Sequence, residues 1–108
     1  MRKATVHFNE ILAGTLTEIS SEEYVFEYLD EYFVDSEKPA ISLTFPKIQQ
    51  VYKSKFLFPF FFNMLSEGNN RITQARSLHI DEKDDFGILL ATAYNDTIGA
   101  ITVKPITI

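Results

Sequence analysis

Segments that are typical of strands fill the first half of the chain. Three of them alternate apolar and polar residues with a period of two, and the remaining one is rich in threonine. Asn9 and Glu10 are suited to a turn between the first two segments, and Gly14 permits a bulge in the second. Pro46 ends the fourth, because proline has no N–H to donate within a sheet. The pattern predicts strands over 4–8, 12–19, 24–28 and 41–45.

Helical signals begin near residue 59. Pro59 suits the first turn of a helix over 60–65, and Gly68 can close that helix. Either of the two asparagines that follow Gly68 can cap a second helix, which runs to about Leu78. Two short helices are therefore predicted between residues 60 and 78.

A third helix follows an acidic run over 81–85, which matches the positive end of a helix dipole. Its apolar residues recur at the spacing of one helical face. A last strand is predicted over 98–103. The apolar positions of the third helix are Phe86, Leu89, Leu90, Ala93 and Tyr94.

The order of these elements indicates the fold class. Strands come first, then helices, and a single strand closes the chain, which is typical of an α+β domain. Short connections between successive strands favour antiparallel pairing. We expect one domain over residues 1–108, a small twisted antiparallel sheet of about five strands packed with about three short helices.

Composition narrows the classes of function. Cysteine is absent, which excludes disulfides, thiolate zinc sites and a cysteine nucleophile, and mildly favours the cytoplasm. The most apolar stretch, over 56–65, is about half as long as a membrane span. We expect it in a core or an interface, with no membrane association.

Charge is distributed unevenly along the chain. The net charge is −5, and residues 10–37 hold nine acidic side chains and no lysine or arginine. Lys47, Lys53 and Lys55 follow as a short basic patch. Two interpretations remain open for the acidic stretch: a solvated face that aids solubility, or a docking face for a basic partner. Direct nucleic-acid binding is disfavoured, because phosphate contacts require clustered basic residues.

The sequence motifs that could indicate a catalytic or metal-binding site are weak. Asp85-Phe86-Gly87 spells the metal-binding triplet of protein kinases, but the chain has no Gly-rich loop, no phosphate-pairing lysine motif and no His-Arg-Asp sequence. The histidines, His7 and His79, have no metal-ligand spacing, and His79 is better placed to interact with a helix C-terminus. We expect no enzyme activity, no catalytic residues, no cofactor and no metal.

Four phenylalanines within five positions are the most unusual feature: Phe58, Phe60, Phe61 and Phe62. On a helix their rings point in nearly all directions, so one sheet cannot cover every ring. Either they all pack between sheet and helices, or one or two remain exposed as a partner-binding patch.

The second half of the chain resembles the N-terminal domain of HipA-type toxin kinases. The family shows a Phe-Phe-x-Asn-Leu-Leu-Pro-Glu-Gly-like segment, an Arg-bearing helix, a Phe-x-Leu-Leu helix and Asp-x-x-Gly-Ala, in this order. Ser66 stands where the family usually has proline, and Tyr94-Asn95 replaces a Gly-containing pair. The resembling segments are 60–68, 70–78, 79–80, 81–85, 86–90 and 96–101; residues 6–16 and 42–43 are also in family positions, so the resemblance covers nearly the whole chain.

The resemblance implies a role in protein binding. In full-length relatives this domain precedes a longer kinase core, whereas this chain stops at Ile108. A standalone version resembles HipS-like antitoxins of HipBST-type systems. This resemblance implies that the protein binds and inhibits a HipA/HipT-like serine/threonine kinase. It also implies that a HipB-like protein contacts the DNA.

Two alternative functions stay open: an accessory subunit that stabilises or activates a split HipA-type kinase, and a homodimerising binding module.

The resemblance and the acidic stretch together suggest residues that contact a partner. These candidate partner-binding residues are Glu22, Glu23, Phe60, Phe61, Met64, Glu67 and Arg71.

Overall fold

The computed structural model describes residues 2–63, 65, 68–81, 83–92 and 101–106. Within these residues, five antiparallel strands form one open sheet. The strands are β1 Arg2–Phe8, β2 Ile11–Ser20, β3 Glu23–Tyr28, β4 Val51–Ser54 and β5 Ile101–Pro105, and their order across the sheet is β4-β3-β2-β1-β5. The last strand returns to the sheet after the helical segment, as the element order predicts, and it pairs with β1.

The first hairpin confirms the predicted turn and bulge. Asn9 and Glu10 both have positive φ, 48° and 68°, which suits a two-residue turn between twisted strands. The pairing shifts where Val6 faces Gly14 and the next residue of β1 faces Leu12. A side chain at Gly14 would collide with the backbone carbonyl of Glu27 in β3. Glycine therefore permits the close approach of β3 next to the bulge.

The predicted fourth strand is wrong. Residues 41–45 form turns, and β4 lies downstream at Val51–Ser54. Ile41 and Phe45 are buried, but Leu43, which the alternation places on the same face, is exposed. The backbone folds back on itself here, because the Phe45 N–H donates to the carbonyl of Ser42. Apolar spacing of two did not distinguish this turn from a strand.

The described part of the chain contains four helices, one more than predicted. The first helix, which the sequence did not predict, lies directly after β3. It has only five residues, too few for a helical repeat of apolar residues to be recognised. The second is shorter than the predicted helix over 60–65, and Gly68 begins the third helix instead of closing the second. The helices are α1 Asp30–Val34, α2 Pro59–Phe62, α3 Gly68–Leu78 and α4 Asp85–Thr92.

Helix α3 ends close to the predicted position. His79 follows its last residue with φ of 57°, and the N–H of Ile80 donates to the carbonyl of Ala75 over 2.9 Å. A second bond runs from the His79 N–H to the carbonyl of Arg76 over 3.3 Å. These two bonds are those of a Schellman motif, in which a left-handed residue terminates the helix.

Helix α4 buries a wider face than its predicted stripe. Phe86 and Leu89 are fully buried as expected, but Ile88 is fully buried too. The helix packs against β5, α2 and α3, so it is covered from more than one direction. Ala93 and Tyr94 of the predicted stripe lie outside the described residues, as do 98–100 of the predicted last strand.

Aromatic rings form the centre of the core on the helix-covered face of the sheet. The Phe45 ring lies 4.9 Å from that of Phe26, 5.1 Å from that of Phe58 and 5.8 Å from that of Phe61, measured between centroids. Tyr28 is also fully buried. The expected α+β class, a small antiparallel sheet packed with short helices, is confirmed. Within the described part of the chain, no helix is long and apolar enough to cross a membrane.

Candidate partner-binding surface

An ionic network joins three strands and a helix at one end of the covered sheet face. Arg2 of β1 lies opposite Glu18 of β2, which lies opposite Tyr24 of β3. The guanidinium of Arg2 donates to both carboxylate oxygens of Glu18, over 2.8 and 3.0 Å. It also donates to both oxygens of Asp84, over 2.9 and 2.8 Å. The Tyr24 hydroxyl donates to Glu18 over 3.2 Å, which completes the network.

The same network caps helix α4. The Gly87 N–H donates to Oδ1 of Asp84 over 3.1 Å, which satisfies one of the free N–H groups at the helix start. A side chain at Gly87 would collide with the Asp84 carboxylate and crowd the guanidinium of Arg2. That guanidinium also lies 5.3 Å from the centroid of the buried Phe86 ring. Phe86 and Gly87 of the kinase-like triplet therefore have structural roles here.

Arg2 and Asp84 shift each other's ionisation. The hydrogen bond from Arg2 holds the pKa of Asp84 below its usual 3.8, against the opposing effect of burial. The hydrogen bond to Asp84 raises the pKa of Arg2 in turn. Both groups are charged at neutral pH, and the pair fixes the start of α4 against the start of β1.

Acid titration tests this pair. Because the folded-state pKa of Asp84 is lowered, its contribution to stability is complete above pH 3.8 and is lost as the pH falls through the folded-state pKa. Asp84→Asn keeps an N-cap acceptor but removes the charge. We expect urea denaturation to show a stability gap between wild type and Asp84→Asn at pH 6 that closes below pH 3.8.

The matched control is Glu37→Gln, which removes an exposed carboxylate from a loop. A gap between wild type and Asp84→Asn that stays constant over the acid range would contradict the assigned role of the Arg2–Asp84 pair.

A groove of about 620 Å³ opens above the network, and we call it the ionic groove. Its lining includes Arg2, Glu18 and Asp84. Large apolar side chains also line it, and two of their rings reach solvent: Phe56 is 77% exposed and Phe62 is 41% exposed. The ionic groove therefore combines fixed charges with exposed aromatic surface, as protein-binding sites do.

The phenylalanine-rich segment divides between core and surface. Phe61 is fully buried, and Phe60 is partly buried against the rings of Phe45 and Phe61. Most rings of this segment pack in the core, but the ring of Phe62 reaches the surface. Of the two interpretations of the segment, the structure therefore favours the one in which one or two rings remain exposed. Sequence reasoning did not single out Phe62. Helical spacing could not have found it, because Phe62 lies four residues after the buried Phe58, a spacing that places the two residues on the same helix face.

The acidic candidates lie elsewhere. Glu22 lies in the turn between β2 and β3, and Glu23 begins β3. Both are exposed, and they line a shallow depression together with Lys53 and Lys55. The structure therefore brings part of the acidic stretch beside the basic patch, which reduces the negative charge of this face.

The remaining candidates fall at the limits of the described residues. Arg71 lies within α3, and its side chain is outside them. Met64 and Glu67 lie outside the described residues entirely. The structure thus does not bring these three into the ionic groove or exclude them from it.

The histidines occupy separate positions. His7 lies in β1 on the sheet face opposite to Ala4 and Val6, and among the described groups its Nδ1 has no hydrogen-bond partner. Burial, and secondarily the charge of Lys104, lowers the pKa of His7. Among the described residues, no cluster brings together three or more side chains that could bind a metal ion.

Comparison with known proteins identifies the family. The family model of the HipA N-terminal domain matches residues 4–104. A solved structure of the N-terminal domain of HipA toxin is similar to this chain, with 26% sequence identity and a TM-score of 0.72; the match covers 99% of this chain and 94% of that chain. No curated protein sequence matches the chain significantly. Since the family model spans nearly every residue, the chain belongs to the HipA N-terminal domain family.

Proposed function

We propose that this protein is a regulatory antitoxin subunit that binds a HipA-type serine/threonine kinase and inhibits it. Its family supports a place among the components of HipA-related toxin–antitoxin systems. The observation that carries the proposal is the exposure of Phe56 and Phe62 beside the ionic groove, whereas the other aromatic rings among the described residues are largely packed.

Burial of these rings by a partner is energetically favourable. Covering an exposed phenylalanine contributes about 1.5–3 kcal/mol, and aromatic residues are frequent at the centres of protein interfaces. The Arg2 network supplies charges that are already held in place, so little ordering is required when a partner binds. Docking at the position of a tethered N-terminal domain would restrict movement of the kinase lobes.

Other components follow from the same proposal. DNA would be contacted by a HipB-like protein, because this chain is acidic, with a net charge of −5, and phosphate contacts need clustered basic residues. The assembly would form in the cytoplasm, and this subunit would itself carry out no reaction.

A reconstitution experiment tests inhibition. The purified protein is mixed with a HipA-type kinase that lacks its own N-terminal domain, and autophosphorylation and co-elution are measured. We expect co-elution and suppressed autophosphorylation, and we expect Phe56→Ser/Phe62→Ser to weaken inhibition about tenfold or more, since tenfold corresponds to 1.4 kcal/mol. Ile11→Ser, at an exposed position in the first hairpin, is the matched control.

The same experiment can reject the proposal. Unchanged kinase activity without co-elution would exclude a regulatory subunit of this kinase. Increased activity with co-elution would instead identify an accessory subunit that activates it.

A further inference from the structure

The charges that line the ionic groove do not balance. In the network beneath it, the single guanidinium of Arg2 is bonded to the two carboxylates of Glu18 and Asp84. Since one guanidinium neutralises one carboxylate, one negative charge remains in excess. The charged side chains among the described lining residues are Arg2, Lys83, Glu18, Asp84 and Asp85, which together give a net charge of −1.

Both carboxylates of the network can accept a further hydrogen bond. From described groups, Glu18 accepts two bonds from Arg2 and one from Tyr24. Asp84 also accepts two bonds from Arg2 and one from the Gly87 N–H. An ionised carboxylate offers about four acceptor sites. The side chain of Glu18 is 16% exposed and that of Asp84 33%, so water compensates the excess charge only in part.

Exposed aromatic rings line the same groove. Phe56 is 77% exposed and Phe62 is 41% exposed. The face of a phenylalanine ring attracts a cation that lies within about 6 Å of the ring centroid. The chain contains one such contact already, since the guanidinium of Arg2 lies 5.3 Å from the centroid of the Phe86 ring. Exposed rings beside an excess negative charge therefore favour a cationic side chain that can also stack on a ring.

We propose that the ionic groove binds an arginine side chain of the partner kinase, an inference that rests on the function proposed above. A guanidinium donates hydrogen bonds to carboxylates and stacks on an aromatic ring at the same time, whereas the ammonium of lysine is compact and strongly hydrated. The groove volume of about 620 Å³ is within the usual range of binding sites, and it leaves room for residues on either side of the arginine.

Other classes of segment fit the groove less well. The N-terminus of α4 would attract an anion, but the Asp84 carboxylate already accepts the Gly87 N–H there. A carboxylate from a partner would also be repelled by the excess negative charge of Glu18 and Asp84. A purely apolar segment would remove water from these charges without replacing their hydration.

A change of charge inside the groove tests the inference. Lys83 lines the groove and is exposed, so Lys83→Gln increases the excess negative charge there. We expect this variant to bind the kinase that lacks its N-terminal domain about two- to fivefold more tightly, as is usual for one exposed charge. Lys104→Gln makes the same change in net charge in β5, outside the groove, and is the matched control. A gain in affinity cannot result from a loss of folding.

A second measurement uses the protein without the kinase. The isotope-labelled chain is titrated with capped Gly-Arg-Gly, Gly-Glu-Gly and Gly-Leu-Gly peptides, and NMR chemical shifts are followed. We expect the arginine peptide to bind most tightly and to shift the signals of Ser20 and Ser21, which line the groove. Phe56→Leu keeps an exposed apolar side chain but removes the ring, so it should bind the arginine peptide about two- to fivefold more weakly.

Other results would overturn the inference. If wild type binds the kinase but Lys83→Gln gains no affinity, or gains no more than Lys104→Gln, the arginine is refuted and the regulatory function stands. If wild type does not bind the kinase, the regulatory function fails, and the peptide titration alone decides whether the groove prefers arginine. Tightest binding of the glutamate or leucine peptide would refute that preference. Self-association in light scattering that Phe56→Ser abolishes would assign the groove to a second copy of the chain, which would also overturn it.

Discussion

Replacing Phe61 by alanine is expected to destabilise the domain by about 3–5 kcal/mol, as is usual for a buried phenylalanine. The Phe61 ring is fully buried, and its centroid lies 5.9 Å from that of Phe26, 5.8 Å from that of Phe45 and 5.2 Å from that of Phe60. The cavity left by truncation would therefore lie where three neighbouring rings meet. Because small domains have a total stability of about 5–15 kcal/mol, a substantial unfolded fraction is expected on mild warming. Urea denaturation followed by circular dichroism measures the loss.

Phe62→Ala provides the matched comparison, because the residue is adjacent in the same helix and 41% exposed. We expect it to lose less than half as much stability as Phe61→Ala. Equal losses would show that the two rings contribute equally to the core. This pair of variants also separates a residue that stabilises the fold from one that is free to contact a partner.

Tyr28→Phe should cost about 1–3 kcal/mol, although it removes a single oxygen atom. That hydroxyl is buried, and burial raises the pKa of Tyr28 to about 12. Its loss leaves the N–H of Ile41 and the carbonyl of Phe45 without this partner in a dry environment. The connector over 35–50 should then become more sensitive to limited proteolysis, in parallel with a lower urea midpoint.

Tyr52→Phe is the control for this variant. The Tyr52 hydroxyl also donates to the connector, to the carbonyl of Pro46, but Tyr52 is only partly buried and water can replace the lost bond. A smaller loss of stability is expected. If both variants were equally stable to urea and protease, the buried hydroxyl of Tyr28 would not be what orders the connector.

Much of the fold was predictable because its signals are local. The Asn9-Glu10 turn, the bulge at Gly14 and the acidic start of α4 each depend on residues within a few positions of one another. The predicted strand over 41–45 failed for the opposite reason. Its apolar spacing is correct for a strand, but the hydroxyl of Tyr28, more than ten residues away, holds a turn there.

The surface was less predictable than the fold. The segment with the candidate Phe60 and Phe61 does border the ionic groove, yet it is Phe62 that lines it. The role of Arg2 in the ionic groove was not predictable, because its two carboxylate partners are 16 and 82 positions away in sequence. No local sequence pattern indicates a contact between residues that are so far apart in the chain.

By itself, the sequence determined the α+β class, most of the strands, the position of α4 and the resemblance to a family, because periodicity and turn residues act over short distances. Only the tertiary structure decided which apolar residues are left outside. Exposure depends on what packs across from a side chain, and for Leu43 and Phe62 that is settled by contacts between distant segments. The residues through which this domain is proposed to bind a partner are thus those that remain exposed when the core is packed.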